Sequence, residues 1–327
     1  MNIAPLDRRL CVAPMMTHTD RHFRYLLRLI SRRVMLYTEM IATGSLIHGK
    51  QFHRLEFSPQ EHPLGIQLGG NHPDELSQCA RIAEQRGYDE INLNIGCPSD
   101  KVKIGQFGAC LMARPELVAE CVAAIAARVS VPVTVKTRTG IDNEDSYECL
   151  HRFIKTVADG GCRTFIIHAR KAWLQGLSPK QNREIPPLDY SRVHQIKKDF
   201  PHLEIIINGG FQTLEQSQEQ LQFVDGVMIG RAFCHNPYLL AGADRLMFGH
   251  FGRANTRSEI LEQFTHYAEQ QMGQGTELHQ MMRHVLGLFQ GQPGARVWRR
   301  YLSENIFDNN SGVEVIEDAL HLVQAAY

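Results

Sequence analysis

The chain of 327 residues is long enough for one large domain or for a large and a small one, and 43% of it is hydrophobic, so it can bury a sizeable core. Its 35 basic and 35 acidic residues cancel, which argues against nucleic-acid binding through overall charge but leaves local basic patches open. No apolar run approaches the ~18 residues that a membrane span needs, so we expect no membrane segment.

Eight short apolar segments recur along the first 232 residues, and each ends in polar residues or glycine. We predict that each segment is a β-strand followed by a loop. They are RLCVAPMM (9–16), VMLYTEM (34–40), HPLGIQLGG (62–70), YDEINLNIG (88–96), VPVTVKTR (131–138), RTFIIHAR (163–170), LEIIINGG (203–210) and DGVMIGRA (225–232).

Segments with helical spacing lie between these strands. Residues 73–87 and 115–129 begin with proline followed by an acidic residue, and residues 146–161 stop at a glycine pair. Alternating strands and helices imply parallel pairing, and eight such units match the size of a (β/α)₈ (TIM) barrel. A doubly wound open sheet is the alternative, but MMTHTD (15–20) lacks the glycine-rich fingerprint expected after its first strand.

The strand pattern stops near residue 240. TRSE (256–259) is a capping-box candidate that precedes apolar residues spaced for one helical face. Further helices are predicted over 276–290, 296–307 and 313–325. We therefore expect a barrel domain over residues 1–239 and a small all-helical domain over residues 240–327.

In a (β/α)₈ barrel the function lies at the C-terminal ends of the strands, and phosphate often binds after strands seven and eight. NGG (208–210) and GRA (230–232) fall at those two places. Glycines let backbone N–H groups approach an anion closely, and Arg231 could add a charge-assisted hydrogen bond. The alternative is that these glycines only form tight turns.

Three further strand-end residues allow more than one interpretation. Lys136 could form a Schiff base, could contact an electron-rich cofactor ring, or could simply extend into solvent. His168 could donate a hydrogen bond to a ligand or could be satisfied within the protein. Gln67 is a polar residue inside an apolar run, which predicts contact with a ligand or with a buried partner.

Cys97 differs from the other seven cysteines because it lies between glycine and proline in a predicted strand-end loop, where a thiol can react. The asparagines Asn92 and Asn94 before it share one face of their strand. The cysteines form no CxxC pair, and the 16 histidines show no HExxH pattern. We expect reduced thiols in a cytoplasmic protein and no metal.

The string LNIGCPSDKVKIGQFGACLM (93–112) resembles the signature of the tRNA-dihydrouridine synthases, flavin enzymes that reduce uridine in tRNA. APMM, TEM, QLGG, VKTRTGID, IIHAR, INGG and MIGRA also match in order and spacing. The A subfamily is indicated by GYDEINLNIGCPSD, by LSPKQNREIPPLDY (177–190) and by GARVWRRYLSENIF (294–307). That subfamily acts on positions 20 and 20a of the D-loop.

The resemblance implies that FMN binds at the barrel mouth and that NADPH reduces it there. The residues that would hold the FMN phosphate are Asn208, Gly209, Gly210, Gly230 and Arg231. Those that would contact its isoalloxazine ring are Pro14, Met15, Met16, Gln67, Lys136 and His168.

The resemblance also implies the reaction. Flavin N5 would deliver hydride to C6 of the uracil, and Cys97 would give a proton to C5. An ordinary thiol has a pKa of about 8.5, so it is mostly protonated at neutral pH and can donate. Asn94 would hydrogen-bond the target base, which must be flipped out of its stack to react.

The helical domain and the loop over residues 171–183 would hold the tRNA, and the protein is expected to be a monomer. The predicted tRNA contacts besides Asn94 are Lys180, Arg183, Arg296 and Arg299. One departure from the subfamily pattern is Thr137, where a histidine commonly follows the strand-five lysine. Because of this difference, the resemblance does not determine the detailed contacts near the flavin, although it still implies the same chemistry.

Two other functions compete with the reductase. A flavin-free, phosphate-binding lyase that uses Lys136 as a Schiff base would leave Cys97 and the helical tail without a role. A non-catalytic RNA-binding module would explain the basic tail but not the polar residues at the strand ends.

Overall fold

A computed structural model of the chain describes residues 6–307 and 312–324, without the side chains of Lys101 and Gln324. The outer limits of the two predicted domains and residue 325 of the last predicted helix lie outside the described residues. Eight strands lie within them: β1 Leu10–Val12, β2 Leu36–Ala42, β3 Leu64–Gly69, β4 Glu90–Asn94, β5 Val133–Arg138, β6 Thr164–His168, β7 Glu204–Asn208 and β8 Gly226–Ile229.

The strands form a closed parallel barrel. Strands β2 to β8 pair in sequence order, and β8 pairs with β1. Strand β1 then meets the residue before β2, because the Val12 N–H donates to the Met35 carbonyl at 2.9 Å and the Met35 N–H donates to the Leu10 carbonyl at 3.1 Å. The predicted (β/α)₈ barrel is thereby confirmed.

In the described part of the chain, fourteen α-helices either surround the barrel or follow it in sequence. The first nine are α1 Arg21–Ile30, α2 Thr43–Ile47, α3 Pro73–Gln85, α4 Asp100–Ile104, α5 Pro115–Ala126, α6 Tyr147–Asp159, α7 Tyr190–Asp199, α8 Leu214–Gln220 and α9 Arg231–His235. The remaining five are α10 Ala243–Leu246, α11 Arg257–Met272, α12 Leu278–Met282, α13 Ala295–Asn305 and α14 Glu314–Gln324. None of the helices described is both long and apolar enough to cross a membrane.

Alternation along the strands separates two apolar regions. Ile91 and Leu93 face outward into the core between the barrel and its helices. The interior is filled by a smaller cluster that includes Tyr37, Ile206 and Met228. Because the inward-facing residues of β4 are Glu90, Asn92 and Asn94, the polar face predicted for this strand lies inside the barrel.

Local signals explain where several helices begin. Asp20 caps α1 by accepting the backbone N–H groups of His22 and Phe23, both at 3.0 Å. Thr256 and Glu259 form the predicted capping box at the start of α11. Proline occupies the first turn of both α3 and α5, as expected from the sequence.

The helix predicted over 276–290 is wrong in its length, because α12 ends at Met282. Beyond it the chain continues in three-residue turns, in which the N–H groups of Val285 and Leu288 donate to the Met282 and Val285 carbonyls at 3.1 and 2.9 Å. Two side chains also bind this segment: Trp298 Nε1 donates to the Val285 carbonyl at 3.0 Å, and Arg257 Nε donates to the Leu288 carbonyl at 2.9 Å. A Cβ on Gly287 would lie 2.3 Å from the His235 carbonyl oxygen, so this glycine permits close packing on the barrel side.

The helical region packs against α1. The ring of Tyr25 stacks on that of Tyr267 with 3.9 Å between centroids, and His22 Nδ1 lies 2.8 Å from the Tyr267 hydroxyl. Asp20 Oδ2 lies 2.9 Å from His284 Nε2. Since α1 directly follows the loop after β1, these contacts tie the helical region to one side of the barrel mouth.

We predict that two arginines of α1 differ sharply in their contribution to stability. Arg24 pairs with Glu61 at 2.6 Å with both side chains almost fully buried, whereas Arg21 pairs with Glu56 at 2.8 Å near solvent. Arg24→Met leaves a buried carboxylate without its partner and should lower the free energy of unfolding by about 3–5 kcal/mol. The matched control Arg21→Met should lower it by less than about 1 kcal/mol. Equal decreases in the free energy of unfolding of the two variants, measured by urea denaturation, would contradict this prediction.

Candidate active site

The ends of β5, β7 and β8 are joined at the barrel mouth by hydrogen bonds. Lys136 Nζ donates to Asn208 Oδ1 at 3.2 Å, and Asn208 Nδ2 donates to the Met228 carbonyl at 2.7 Å. Strand register places Asn94 beside Lys136, and His168 beside Asn208. The structure therefore brings together these residues, which the sequence predicts as parts of the site.

The glycines after β7 are required by backbone shape and by crowding. Gly209 and Gly210 have φ angles of +130° and +78°, a region that side-chain-bearing residues rarely adopt. A Cβ on Gly209 would lie 2.9 Å from His168 Cδ2, and one on Gly210 would lie 2.6 Å from Leu188. The Tyr190 hydroxyl donates to the Gly209 carbonyl at 2.6 Å. This turn brings bare backbone next to His168.

The other predicted glycine, Gly230, lies against the loop that follows β1. A Cβ at Gly230 would lie 3.0 Å from Met15 Sδ and 3.2 Å from Ala13 Cβ. Pro14 and Met15 are half-buried here, whereas Met16 is exposed. Close packing between the β1 and β8 ends therefore explains this glycine, whether or not a ligand binds.

Positive side chains dominate the mouth. Burial lowers the pKa of His168 well below its ordinary value, and the nearby charges of Arg138, Lys136, Arg170 and Arg231 lower it further. Burial and the charge of Arg138 together lower the pKa of Lys136 to about 7. Burial also lowers the pKa of Arg138 to about 10. An anionic ligand at this site would raise the pKa of Lys136 and His168 again, because a nearby negative charge favours the protonated form.

The arginines of this rim have hydrogen-bonding capacity to spare. Arg231 pairs with Glu184 at 3.1 Å, and its second nitrogen donates to the Arg183 carbonyl at 3.3 Å. The buried Nε atoms of Arg170 and Arg183 have no hydrogen-bond partner. They are two of six buried side-chain atoms without a partner in the described residues, and their place in a cationic rim fits a phosphate-bearing ligand.

Cys97 lies in a loop that is fixed on several sides. Its backbone N–H donates to Asn94 Oδ1 at 3.0 Å, and its carbonyl accepts the Ala109 N–H at 2.9 Å. Its Sγ lies 3.4 Å from Ser99 Oγ, and the side chain is only partly exposed. Gly108, at a φ of +72°, packs against the Cys97 carbonyl, where a Cβ would lie 2.6 Å from the oxygen. The loop therefore presents the thiol in a defined place.

Arg138 connects this loop to the one after β6. Its Nε donates to the Gly96 carbonyl at 3.0 Å, and its Nη1 donates to the carbonyls of Lys171 and Asn182 at 3.1 and 2.9 Å. The sequence placed Arg138 at a strand end but gave it no role. Its buried position among three backbone carbonyls could not be foreseen, because their distances depend on how both loops fold.

Gln67 and Asn94 contact one another inside the mouth. Asn94 Nδ2 donates to Gln67 Oε1 at 2.7 Å, and Gln67 Nε2 donates to Asn92 Oδ1 at 2.8 Å. The buried partner expected for Gln67 is thus an asparagine pair. Each amide nitrogen carries a second N–H beyond these bonds.

The predicted tRNA contacts fall into separate groups. Arg183 lies at the rim beside Arg231, whereas Lys180 lies exposed just ahead of a short 3₁₀ helix over Gln181–Arg183. Arg296 and Arg299 lie on α13, where Arg296 is exposed and Arg299 donates to Gln290 Oε1 at 2.6 Å. The structure does not bring the α13 pair into the mouth network.

Other residues contribute to the mouth although the sequence predicts no role for them. The Gly209–Gly210 turn is supported by Leu188 from the loop before α7 and by Tyr190, the first residue of α7. The N–H of Thr17 donates to Glu39 Oε1, which joins the β1 loop to the end of β2. Within the described residues, no group of three or more histidine, cysteine, aspartate or glutamate side chains could hold a metal ion.

The fold and the mouth define a (β/α)₈-barrel enzyme whose polar centre lies at the C-terminal ends of the strands. Solved structures agree on the fold: 2-naphthoyl-CoA reductase has a TM-score of 0.57 at 12% identity over 73% of this chain and 51% of its own. An old yellow enzyme homologue from Zymomonas mobilis has a TM-score of 0.54 at 13% identity over 77% of this chain and 92% of its own.

The particular family follows from sequence comparison. A family model described as dihydrouridine synthase matches residues 11–324. Relatives named tRNA-dihydrouridine(20/20a) synthase include those of Vibrio cholerae serotype O1 (58% identical, 95% of both chains) and Escherichia coli K12 (57% identical, 96% of this chain and 91% of the relative). The chain belongs to the dihydrouridine synthase family, which confirms the resemblance.

We predict that Lys136 titrates near neutral pH in the ligand-free protein. With a pKa of about 7, it carries a positive charge below that pH and becomes a neutral, reactive amine above it. Competitive acetylation across pH 6 to 9, read by mass spectrometry of the Lys136 peptide, should show half-maximal reactivity near pH 7. The exposed lysines of the same sample provide the internal reference. No reactivity of Lys136 until about pH 10, the range of an ordinary lysine, would contradict the prediction.

Proposed function

We propose that the protein reduces the C5–C6 double bond of uridine to 5,6-dihydrouridine at positions 20 and 20a of the tRNA D-loop, using FMN and NADPH. The observation that carries this proposal is the pairing of a fixed, partly exposed thiol, Cys97, with a cationic wall at the same barrel mouth. The printed names of the relatives support the substrate and its positions.

The mouth fits FMN. The Asn208–Gly210 turn, Gly230 and Arg231 would hold its phosphate, with the spare donors of Arg170 and Arg183 close by. Pro14, Met15, Met16, Gln67, Lys136 and His168 would contact its ring system. When bound and reduced by NADPH, FMN supplies from N5 the hydride that adds to C6 of the uracil. Bound FMN would also restore the positive charge of Lys136, since a nearby anion raises the pKa of an amine.

Cys97 would complete the reduction by giving its proton to C5 of the uracil. It suits that task because its loop is fixed by Asn94 and by the Ala109 N–H, so the thiol stays in place while the base enters. Asn94 would bind the base with its spare N–H, which matches a uracil carbonyl oxygen. Reprotonation of the thiol from solvent is possible because Cys97 is partly exposed.

The target base must leave its stack to reach this thiol, so the tRNA needs a surface beside the mouth. We propose that residues 240–327 form the helical tRNA-binding domain and that Lys180, Arg183, Arg296 and Arg299 contact the RNA. A polar cavity of about 420 Å³ separates the barrel from the helical region and is lined by Arg21, Glu39, Arg54 and Arg283, among others. It offers the RNA a path from α12 towards the β2 end.

The same proposal places the protein in the cytoplasm as a monomer. All eight cysteines are free thiols, as expected in a reducing compartment. A Schiff-base lyase remains the alternative, because a lysine with a pKa of about 7 would also suit a nucleophilic amine. Purified protein that shows no visible flavin absorbance after addition of FMN would favour the lyase.

We predict that Cys97→Ala keeps the bound flavin and its reduction by NADPH but loses tRNA reduction by about 10²- to 10⁴-fold, since general-acid catalysis contributes that much. The matched control is Cys110→Ala, a second partly exposed thiol whose Sγ donates to the Phe107 carbonyl at 3.1 Å. The control should keep its activity. The activity of both variants is measured as dihydrouridine formed, by mass spectrometry of digested tRNA. Undiminished turnover by Cys97→Ala would contradict the proposed role of Cys97.

We predict that the double variant Arg296→Ala/Arg299→Ala weakens tRNA binding and reduces the slope of log affinity against log salt by up to about 2, because two phosphate contacts would be lost. Arg128→Ala/Arg163→Ala is the matched control, since both of its arginines are exposed in loops at the opposite end of the barrel. Filter binding at several salt concentrations measures both. The same slope for both double variants would refute the role of α13.

A further inference from the structure

A line of hydrogen bonds starts at the bottom of the barrel interior. Glu90 is fully buried and pairs with Arg8 at 2.6 Å. Its Oε1 accepts the hydroxyl hydrogen of Thr134 at 2.5 Å, and Thr134 Oγ1 accepts from Asn92 Nδ2 at 2.8 Å. Asn92 Oδ1 in turn accepts from Gln67 Nε2 at 2.8 Å. These side chains are at most 1% exposed, apart from Arg8 at 6%, so water does not compete for the bonds.

The line continues to the loop that carries the thiol. Gln67 Oε1 accepts from Asn94 Nδ2 at 2.7 Å. Asn94 Oδ1 accepts the backbone N–H groups of Gly96 and Cys97 at 3.1 and 3.0 Å. One unbroken series of donors and acceptors therefore connects the carboxylate of Glu90 to the backbone of Cys97.

The groups at the two ends of this line impose one donor-to-acceptor direction on all of its hydrogen bonds. A carboxylate paired with arginine can only accept, and a backbone N–H can only donate. Rotating the amide of Asn92, Gln67 or Asn94 by half a turn would bring two donors or two acceptors together at a buried contact. Bonds that polarise one another in series also strengthen each neighbour. The orientation of each amide is thus fixed by groups several residues away.

We propose that Glu90, Thr134 and Asn92 are positioning residues for the site, although all three are fully buried. They fix the amides of Gln67 and Asn94, and through Asn94 they fix the backbone of Cys97. Each of these two amides has a second N–H, and the same bonds fix its direction. The consequence for catalysis rests on the proposed function, whereas the effect on the Cys97 loop does not.

The test breaks the line at one hydroxyl. Thr134→Val keeps the side-chain shape but cannot accept from Asn92 or donate to Glu90, while Thr134→Ser restores the hydroxyl. With flavin bound and tRNA saturating, the rate at which tRNA re-oxidises the reduced enzyme should fall about tenfold or more in the valine variant. The reason is that displacement of the Cys97 thiol and of the Asn94 contact to the uracil slows the reaction. The tRNA dissociation constant should stay within about twofold, and serine should recover most of the rate. Thr134→Ala is the second variant if the valine protein does not fold.

A second measurement needs neither flavin nor tRNA. Iodoacetamide labelling of Cys97, followed by mass spectrometry, should become several-fold faster in Thr134→Val and return towards wild type in Thr134→Ser. The inference would be overturned if the valine variant kept the wild-type rates of both Cys97 labelling and re-oxidation. A loss of re-oxidation rate that Thr134→Ser does not restore would also overturn it. If wild-type enzyme itself is not re-oxidised by tRNA, the proposed function fails, while the labelling rates still decide whether the line positions Cys97.

Discussion

The ion pair between Arg8 and Glu90 is the interaction on which the barrel interior depends. Arg8 also binds Glu204 of β7 at 2.9 Å, so one guanidinium joins carboxylates from strands on different sides of the barrel. Burial opposes its charge, but Glu90, Tyr37 and Glu204 raise the pKa of Arg8, so it stays charged. Replacing one partner would leave a buried charge uncompensated, which is strongly destabilising.

The upper end of the barrel has the opposite electrostatic character. Around His168 the charged neighbours are arginines and a lysine, and burial lowers the pKa of Lys136 to about 7 and that of Arg138 to about 10. The fold tolerates this repulsion because Arg138 donates hydrogen bonds to three backbone carbonyls and Arg231 pairs with Glu184. The lower end thus pairs its arginine with carboxylates, whereas the upper end keeps an excess of positive side chains.

The two ends are connected through polar rather than apolar residues. Most (β/α)₈ barrels fill their interior with branched aliphatic side chains. Here Asn92, Gln67 and Thr134 replace part of that packing, and the apolar interior cluster is small. A continuous polar series specifies one arrangement where aliphatic packing tolerates several. Precise placement of Cys97 is the gain that such an interior offers.

The sequence by itself determined the elements and their order, because strand periodicity, proline and glycine stops and the capping box at Thr256 are local signals. It also predicted the strand-end residues, since parallel strands bring their carboxyl ends to one rim. It misjudged the helix over 276–290, where the chain after Met282 continues in three-residue turns that Trp298 and Arg257 bind from other helices. The cationic surroundings of His168, the three carbonyls on Arg138 and the line from Glu90 to Cys97 join residues distant in sequence. Only the tertiary structure decided them, because each depends on distances that exist once the barrel has closed.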